Sequence, residues 1–253
     1  MMPRVIAVVM LVLMSVTAQA AGFEARVTFA RKTELGFAVS GVVQRVDVAP
    51  GSQVKKGQSL LALEDTPFKA EVDQAAAEVA RRNADQAEAV RDYKQAKELF
   101  DRTVLSVVEL ENAKLKAQRA DAALREARAR LAAARYALER SAINAPFDAV
   151  VLEVRVQPGQ SMVSRLEAKP AIVLAALGEY LARGSVPGSR IEGLQVGEAA
   201  SVLVGGNRYS GRVHSFGLEP QAPGGSEHDI SVVFSSGAAV LRAGQSASVE
   251  LQR

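Results

Sequence analysis

The sequence predicts an α+β protein in which a long antiparallel coiled-coil α-hairpin is inserted into a split β-sandwich and a small antiparallel β-barrel follows. Three observations carry that reading. The stretch GVVQRVDVAPGSQV at 41–54 is written again as AVVLEVRVQPGQSM at 149–162, with the same valine spacing and the same Pro-Gly. Between the copies, residues 68–145 contain no glycine or proline and repeat their apolar residues every seven positions. After the second copy, short β-branched segments recur between glycine-rich turns.

The chain opens with Arg4 as the only charge before residue 21, then the apolar run VIAVVMLVLMSV and an Ala-x-Ala ending at Ala20. That order predicts a secretory signal peptide over 1–20. The alternative is an uncleaved anchor, for which a dozen apolar residues are short against the roughly 20 that a span needs. Such a segment directs the chain out of the cytoplasm. The chain has no cysteine, so it relies on no disulfide there and cannot carry a lipid thioether.

From Phe37 to Leu63 the apolar residues alternate through Val39, Val43, Val46, Val48, Val54, Leu61 and Leu63, with Pro50-Gly51 and Lys56-Gly57 as punctuation. Period-two alternation of this kind fits strands buried on one face. At Thr66-Pro67 the texture changes, Thr66 being suited to an N-cap and Pro67 to the first helical position. Val72, Val79, Gln86, Tyr93 and Phe100 form one heptad series. Leu110, Ala117, Leu124, Leu131 and Leu138 form another, with Ala113, Ala120, Ala127 and Ala134 three places on. Two seams separated by DRTVLSVV at 101–108 predict a doubled-back coiled coil, with Ser106 capping the returning helix. A single continuous helix is the alternative, and it would leave the apolar seam without a partner.

The feet of such a hairpin must be neighbours, so the two valine-rich pieces are read as two halves of one sandwich. The expected boundaries are 37–66 and 141–164 for the sandwich, 67–140 for the hairpin, and 23–36 with 165–253 for the barrel. Strand candidates in the last region include 172–174, 184–186, 200–204, 208–214, 230–234 and 247–251.

The half-motifs GVVQRVDVAPGSQVKKGQSLLALED and SAINAPFDAVVLEVRVQPGQSMV resemble the split biotinyl/lipoyl-like domain of periplasmic adaptor proteins, the HlyD-type membrane fusion proteins. VPGSRIEGLQVGEAASVLV, YSGRVHSFG and LRAGQSASVEL resemble the β-barrel domain of that family. The resemblance implies an adaptor of a Gram-negative tripartite efflux system. It would link an inner-membrane transporter, of the RND class in preference to the ABC class, to a TolC-like outer-membrane channel. It also implies a homo-oligomer, trimer or hexamer, that encloses a conduit. Relatives often carry a membrane-proximal domain beyond the barrel, and this sequence, ending at Arg253, resembles a short form. Adaptors that dock on the duct carry Arg-x3-Leu-x6-Ser at the hairpin tip. Leu99 and Ser106 match it, Gln95 holds the arginine place, and Lys94 and Lys97 offer positive charge nearby; Lys94, Gln95, Leu99, Arg102 and Ser106 are the candidate docking residues. Turn chemistry alone is the competing account of Leu99 and Ser106.

Other function classes fare poorly. The histidines are His214 and His228, without metal-ligand spacing. No nucleophile elbow or phosphate-binding loop is present, so neither an enzyme nor a cofactor is expected. Aromatics make up 5% with no Trp and the net charge is only +3, which argues against nucleic-acid binding. A biotin or lipoate carrier would present its lysine on a turn at the place the hairpin occupies, whereas Lys55 and Lys56 lie in a different turn. The remaining alternative is an envelope scaffolding protein with a coiled-coil arm and no transport role.

Overall fold

The computed structural model describes residues 22–164, 169–222, 225–237 and 239–251; the expected signal peptide lies outside them. In chain order the elements are β1 (Gly22–Phe29), β2 (Lys32–Leu35), β3 (Gly41–Val46), β4 (Gln53–Val54), β5 (Ser59–Leu63), α1 (Thr66–Asp101) and α2 (Val107–Arg140). They continue as β6 (Ala142–Asn144), β7 (Ala149–Val154), β8 (Ser161–Met162), β9 (Ile172–Ala176), β10 (Glu179–Pro187) and α3 (Gly188–Ile191). The last strands are β11 (Ala199–Val204), β12 (Asn207–Pro220), β13 (Glu227–Ser235) and β14 (Ser246–Leu251). The chain forms two compact units, Arg31–Leu177 and the segments on either side of it.

In the Arg31–Leu177 unit, two four-stranded sheets of order β2-β9-β7-β4 and β6-β5-β3-β8 form the sandwich. The repeated segments exchange strands. Gly41 and Val42 at the start of the first copy pair with Met162 and Ser161 at the end of the second. Ala149 and Val150 at the start of the second pair with Val54 and Gln53 at the end of the first. Neither copy is a folding unit alone, because half of its ladder is supplied by the other. Val43, Val54, Leu60, Leu61, Leu63, Val151, Ile172 and Leu174 are almost fully buried in one core.

The sheet pairing moves the boundary expected from sequence. Residues 32–35 and 172–176, read as barrel, belong to the sandwich, where β9 lies between β2 and β7. The reason is legible in β9 itself. Ile172–Ala176 is buried at every position, as a central strand covered on both faces must be, whereas a barrel strand with a wet side would alternate. Strand β2 sits at the sheet edge with Lys32 and Glu34 outward, as edge strands require.

The helices α1 and α2, of 36 and 34 residues, are each about 50 Å long at about 1.5 Å per residue. They pack as the heptads predict: Ala89, Leu124, Ala127 and Ala134 are buried in the seam, and the other heptad residues are half-buried. Lys116 Nζ reaches Asp92 Oδ2 at 2.7 Å across it. The helix start differs by one residue from the sequence reading. Asp65 is the N-cap, without a side-chain cap bond, and Thr66 is already helical. Asp65 instead pairs with Lys69 one turn on, at 2.7 Å.

The other unit is a closed six-stranded barrel of order β1-β10-β13-β12-β11-β14. Closure removes the exposed edges that an open sheet of this size would carry. Val27, Tyr180, Ala182, Val202, Ile230, Val232 and Val249 fill the interior, and the Tyr180 hydroxyl accepts the Leu241 N–H at 3.0 Å. Gly184 is required where β1 and β10 meet, since a Cβ there would lie 2.3 Å from the Glu24 carbonyl oxygen.

Candidate functional site

The functional candidate is the end of the hairpin, where α1 stops at Asp101 and α2 begins at Val107. The stop is a Schellman arrangement: the Thr103 N–H donates to the Phe100 carbonyl at 2.8 Å and the Val104 N–H to the Leu99 carbonyl at 3.0 Å. It needs a left-handed residue, which is usually glycine. Here Thr103 holds φ of 60°, the single non-glycine residue with positive φ among those described. A β-branched side chain there is strained.

The start of α2 is tightly capped. The Ser106 hydroxyl accepts the Glu109 N–H at 3.3 Å and donates to Glu109 Oε2 at 2.7 Å, while the Ser106 N–H donates to the same oxygen at 3.0 Å. The sequence suggested Ser106 as a cap, and the structure completes it into a capping box with Glu109. The two bonds from Ser106 hold the Glu109 carboxyl below the usual carboxylate range.

The predicted residues divide accordingly. Gln95, Leu99 and Arg102 stand at i, i+4 and i+7, one face of α1 running up to the turn. Leu99 is half-buried, and Lys94, Gln95 and Arg102 are exposed. Ser106 is exposed, but its hydroxyl is committed to the cap.

Sequence reasoning missed an apolar knuckle. Val104, Val107 and Val108 are 72%, 61% and 70% exposed, clustered around the two-turn reversal at the arm's end. Their signal was present in DRTVLSVV, where β-branched residues were read only as a helix break. Exposed large apolar groups are unremarkable singly, and a cluster at the end of a projecting arm marks a contact surface.

Elsewhere the chemistry is sparse. Among the described residues no group of three or more histidine, cysteine or acidic side chains converges, and no helix is long and apolar enough to cross a membrane. His214 is exposed. His228 lies in β13, half-buried, with Nδ1 3.1 Å from the Gly217 carbonyl oxygen. Between β5 and β6, the place of a carrier's lysine turn, stand α1 and α2.

A family model described as the RND MFP barrel-sandwich hybrid domain matches residues 31–175, nearly the whole of the Arg31–Leu177 unit. The efflux pump periplasmic linker BepD of Brucella suis biovar 1 is 27% identical over 137 residues, 54% of this chain and 34% of that protein. The macrolide export protein MacA of Yersinia pestis is 26% identical over 198 residues, 72% of this chain and 53% of that protein. The chain thus spans a third to a half of the length of these curated relatives. Among solved structures, the membrane fusion protein Spr0693 from Streptococcus pneumoniae R6 matches with a TM-score of 0.71 at 18% identity, over 91% of this chain and 98% of that one. A MacA-MexA chimeric protein containing the Pseudomonas aeruginosa MexA α-hairpin domain matches with a TM-score of 0.63 at 20% identity, over 91% of this chain and 80% of that one. At these identities the structures speak for the fold alone. With more than half of its length matched by the family model, and with that fold, the chain belongs to the RND membrane fusion proteins, the periplasmic adaptors of efflux systems.

Proposed function

We propose that the chain links an inner-membrane transporter, RND before ABC, to a TolC-like outer-membrane duct in the periplasm, several copies packing side by side into a sealed conduit. The observation that supports this most is the tip: an arm of about 50 Å that ends in three exposed valines beside Leu99. The protein performs no reaction in this reading. Its contribution is stiffness, because a helix of this length would fray alone in water, and the second helix supplies the partner that prevents it. Duct contact falls to Leu99, Val104, Val107 and Val108, with Lys94, Gln95 and Arg102 at the margin and Ser106 shaping the turn.

A photoreactive residue at Val104 in growing cells, followed by mass spectrometry of what it captures, tests the reading. Capture of an outer-membrane channel protein is the expected result. Val104→Asp with Val107→Asp should then abolish both capture and export while the melting temperature stays within a few degrees. A stable tip variant that exports normally would overturn the proposal and leave an envelope scaffold.

A further inference from the structure

We infer that the outer wall of the barrel carries a groove for a phosphate ester that also bears a primary ammonium group, of the phosphoethanolamine kind. Arg26 and Arg183 hold the phosphate, and Glu24 and Asp229 hold the ammonium.

The barrel interior takes alternate residues of each strand, Ala25 and Val27 of β1, Tyr180 and Ala182 of β10, Ile230 and Val232 of β13. The residues between them face outward. There the ladder sets Arg26 opposite Arg183, with Ser246 on the far side of Arg26 and Ser231 on the far side of Arg183. Both arginines are exposed. Like charges directly opposite one another on antiparallel strands are destabilising. Among the described residues neither guanidinium has a carboxylate within ion-pair reach to offset this. Arg208 of the same barrel, by contrast, pairs with Glu250 at 2.7 Å. Two facing arginines kept at a cost to stability, with the Ser246 hydroxyl beside them, are a donor set for an oxyanion.

The next outward row has the opposite sign. Glu24 and Asp229 line the same groove as Arg26, Arg183 and Ser246. Glu24 lies opposite Ser248 and Asp229 opposite Ser185. Gln221 Nε2 donates to Asp229 Oδ1 at 2.5 Å, which leaves Oδ2 for a ligand. Successive outward rows stand about 7 Å apart, two residues at about 3.4 Å each. On the other side of the arginines the row is Thr28, Leu181 and Val233, without charge. The wall thus presents a positive strip and a negative strip side by side, and the two do not neutralise each other by direct pairing.

That spacing selects the ligand. A bare phosphate satisfies the arginines and is repelled by the carboxylates one row away. An α-amino acid carries its two charges too close together to reach both rows. A phosphate joined to an ammonium through two carbons spans them, with the flexible arginine and glutamate side chains supplying the remaining reach. A quaternary ammonium would call for aromatic faces, and none of the residues lining the groove is aromatic. A primary ammonium, with its three N–H donors, suits the two carboxylates.

Calorimetric titration of the full chain with phosphoethanolamine, inorganic phosphate and phosphocholine tests the groove. Phosphoethanolamine should bind about tenfold more tightly than either of the others. Arg26→Gln with Arg183→Gln should abolish binding of all three, while the melting temperature holds or rises as the repulsion is relieved. Glu24→Gln with Asp229→Asn should remove the preference for phosphoethanolamine over phosphate and leave phosphate binding in place. Phosphoethanolamine that shows no saturable binding, or binds no better than phosphate, overturns the inference. So does binding that survives in the folded arginine variant. Flotation with phosphatidylcholine vesicles, with and without phosphatidylethanolamine, separates the two sources of this chemistry. Flotation that needs phosphatidylethanolamine and both arginines assigns a membrane lipid headgroup, and titration binding without flotation assigns a soluble phosphate ester.

Discussion

The Gly159 N–H donates to the Val43 carbonyl at 2.8 Å, and the Gly51 N–H donates to the Val151 carbonyl at 2.8 Å. Each bond is the image of the other under exchange of the two sequence copies. The same holds for Val43 N–H to Gln160 and Val151 N–H to Ser52, both at 2.9 Å. The sandwich thus has an internal pseudo-two-fold relation, with Val43 and Val151 at equivalent places and each 1% exposed.

Equivalence in place predicts equivalence in energy. Val43→Ala and Val151→Ala should each cost about 2 kcal/mol, from lost burial plus a residual cavity. Urea unfolding of the two variants should give midpoints that fall by similar amounts. A large difference would show that the halves do not share one core.

Thr103 stores strain that glycine would release. Thr103→Gly should raise hairpin stability by about 1 kcal/mol, the left-handed cost of a side chain less the backbone entropy of glycine. Far-UV circular dichroism on heating reads this directly. An unchanged or lowered melting temperature would mean that Thr103 makes a compensating interaction.

The cap at α2 should show in both stability and pH dependence. Ser106→Ala removes a cap worth about 1 kcal/mol. The bonds from Ser106 lower the folded-state pKa of Glu109, so its contribution is present above the unfolded carboxyl value and is lost as pH falls through the folded one. A comparison of the parent with Glu109→Gln should therefore show a stability gap at neutral pH that closes in acid. A gap that widens in acid would contradict the assignment.

Gly184 is a steric requirement of the barrel. Gly184→Ala would place a methyl group 2.3 Å from the Glu24 carbonyl oxygen and 2.9 Å from the Phe23 ring, and backbone cannot move aside cheaply. A loss of about 2–3 kcal/mol is expected. Gly51→Ala should cost less, because its Cβ would meet nothing within 4 Å and only the φ of 88° opposes it. Thermal melts of the two variants give the ranking.

The features that came through from sequence alone are those set by local period and by local turn chemistry. Seven-residue spacing identified the arms and their seam, because every seam position can be named from its neighbours along the chain. The repeat at 41–54 and 149–162 identified a split module, and Ser106 announced the cap. What failed was assignment of strands that are locally ambiguous. Lys32–Leu35 and Ile172–Ala176 read equally well as barrel or sandwich, and only their pairing, Leu35 with Ile172 and Val151 with Leu174, decided the matter. Exposure was likewise beyond reach: DRTVLSVV reads as a helix break, and whether its valines are buried depends on what lies beyond the turn.

The sequence by itself determined a paired coiled-coil arm growing from a duplicated β-module, since heptad and alternation are properties of neighbouring residues. Tertiary structure alone decided which copy lends its strand to which sheet and where sandwich gives way to barrel. It alone left Val104, Val107 and Val108 facing outward. Hydrogen-bond register and solvent access depend on residues far apart in the chain, and no local pattern encodes which of them will meet.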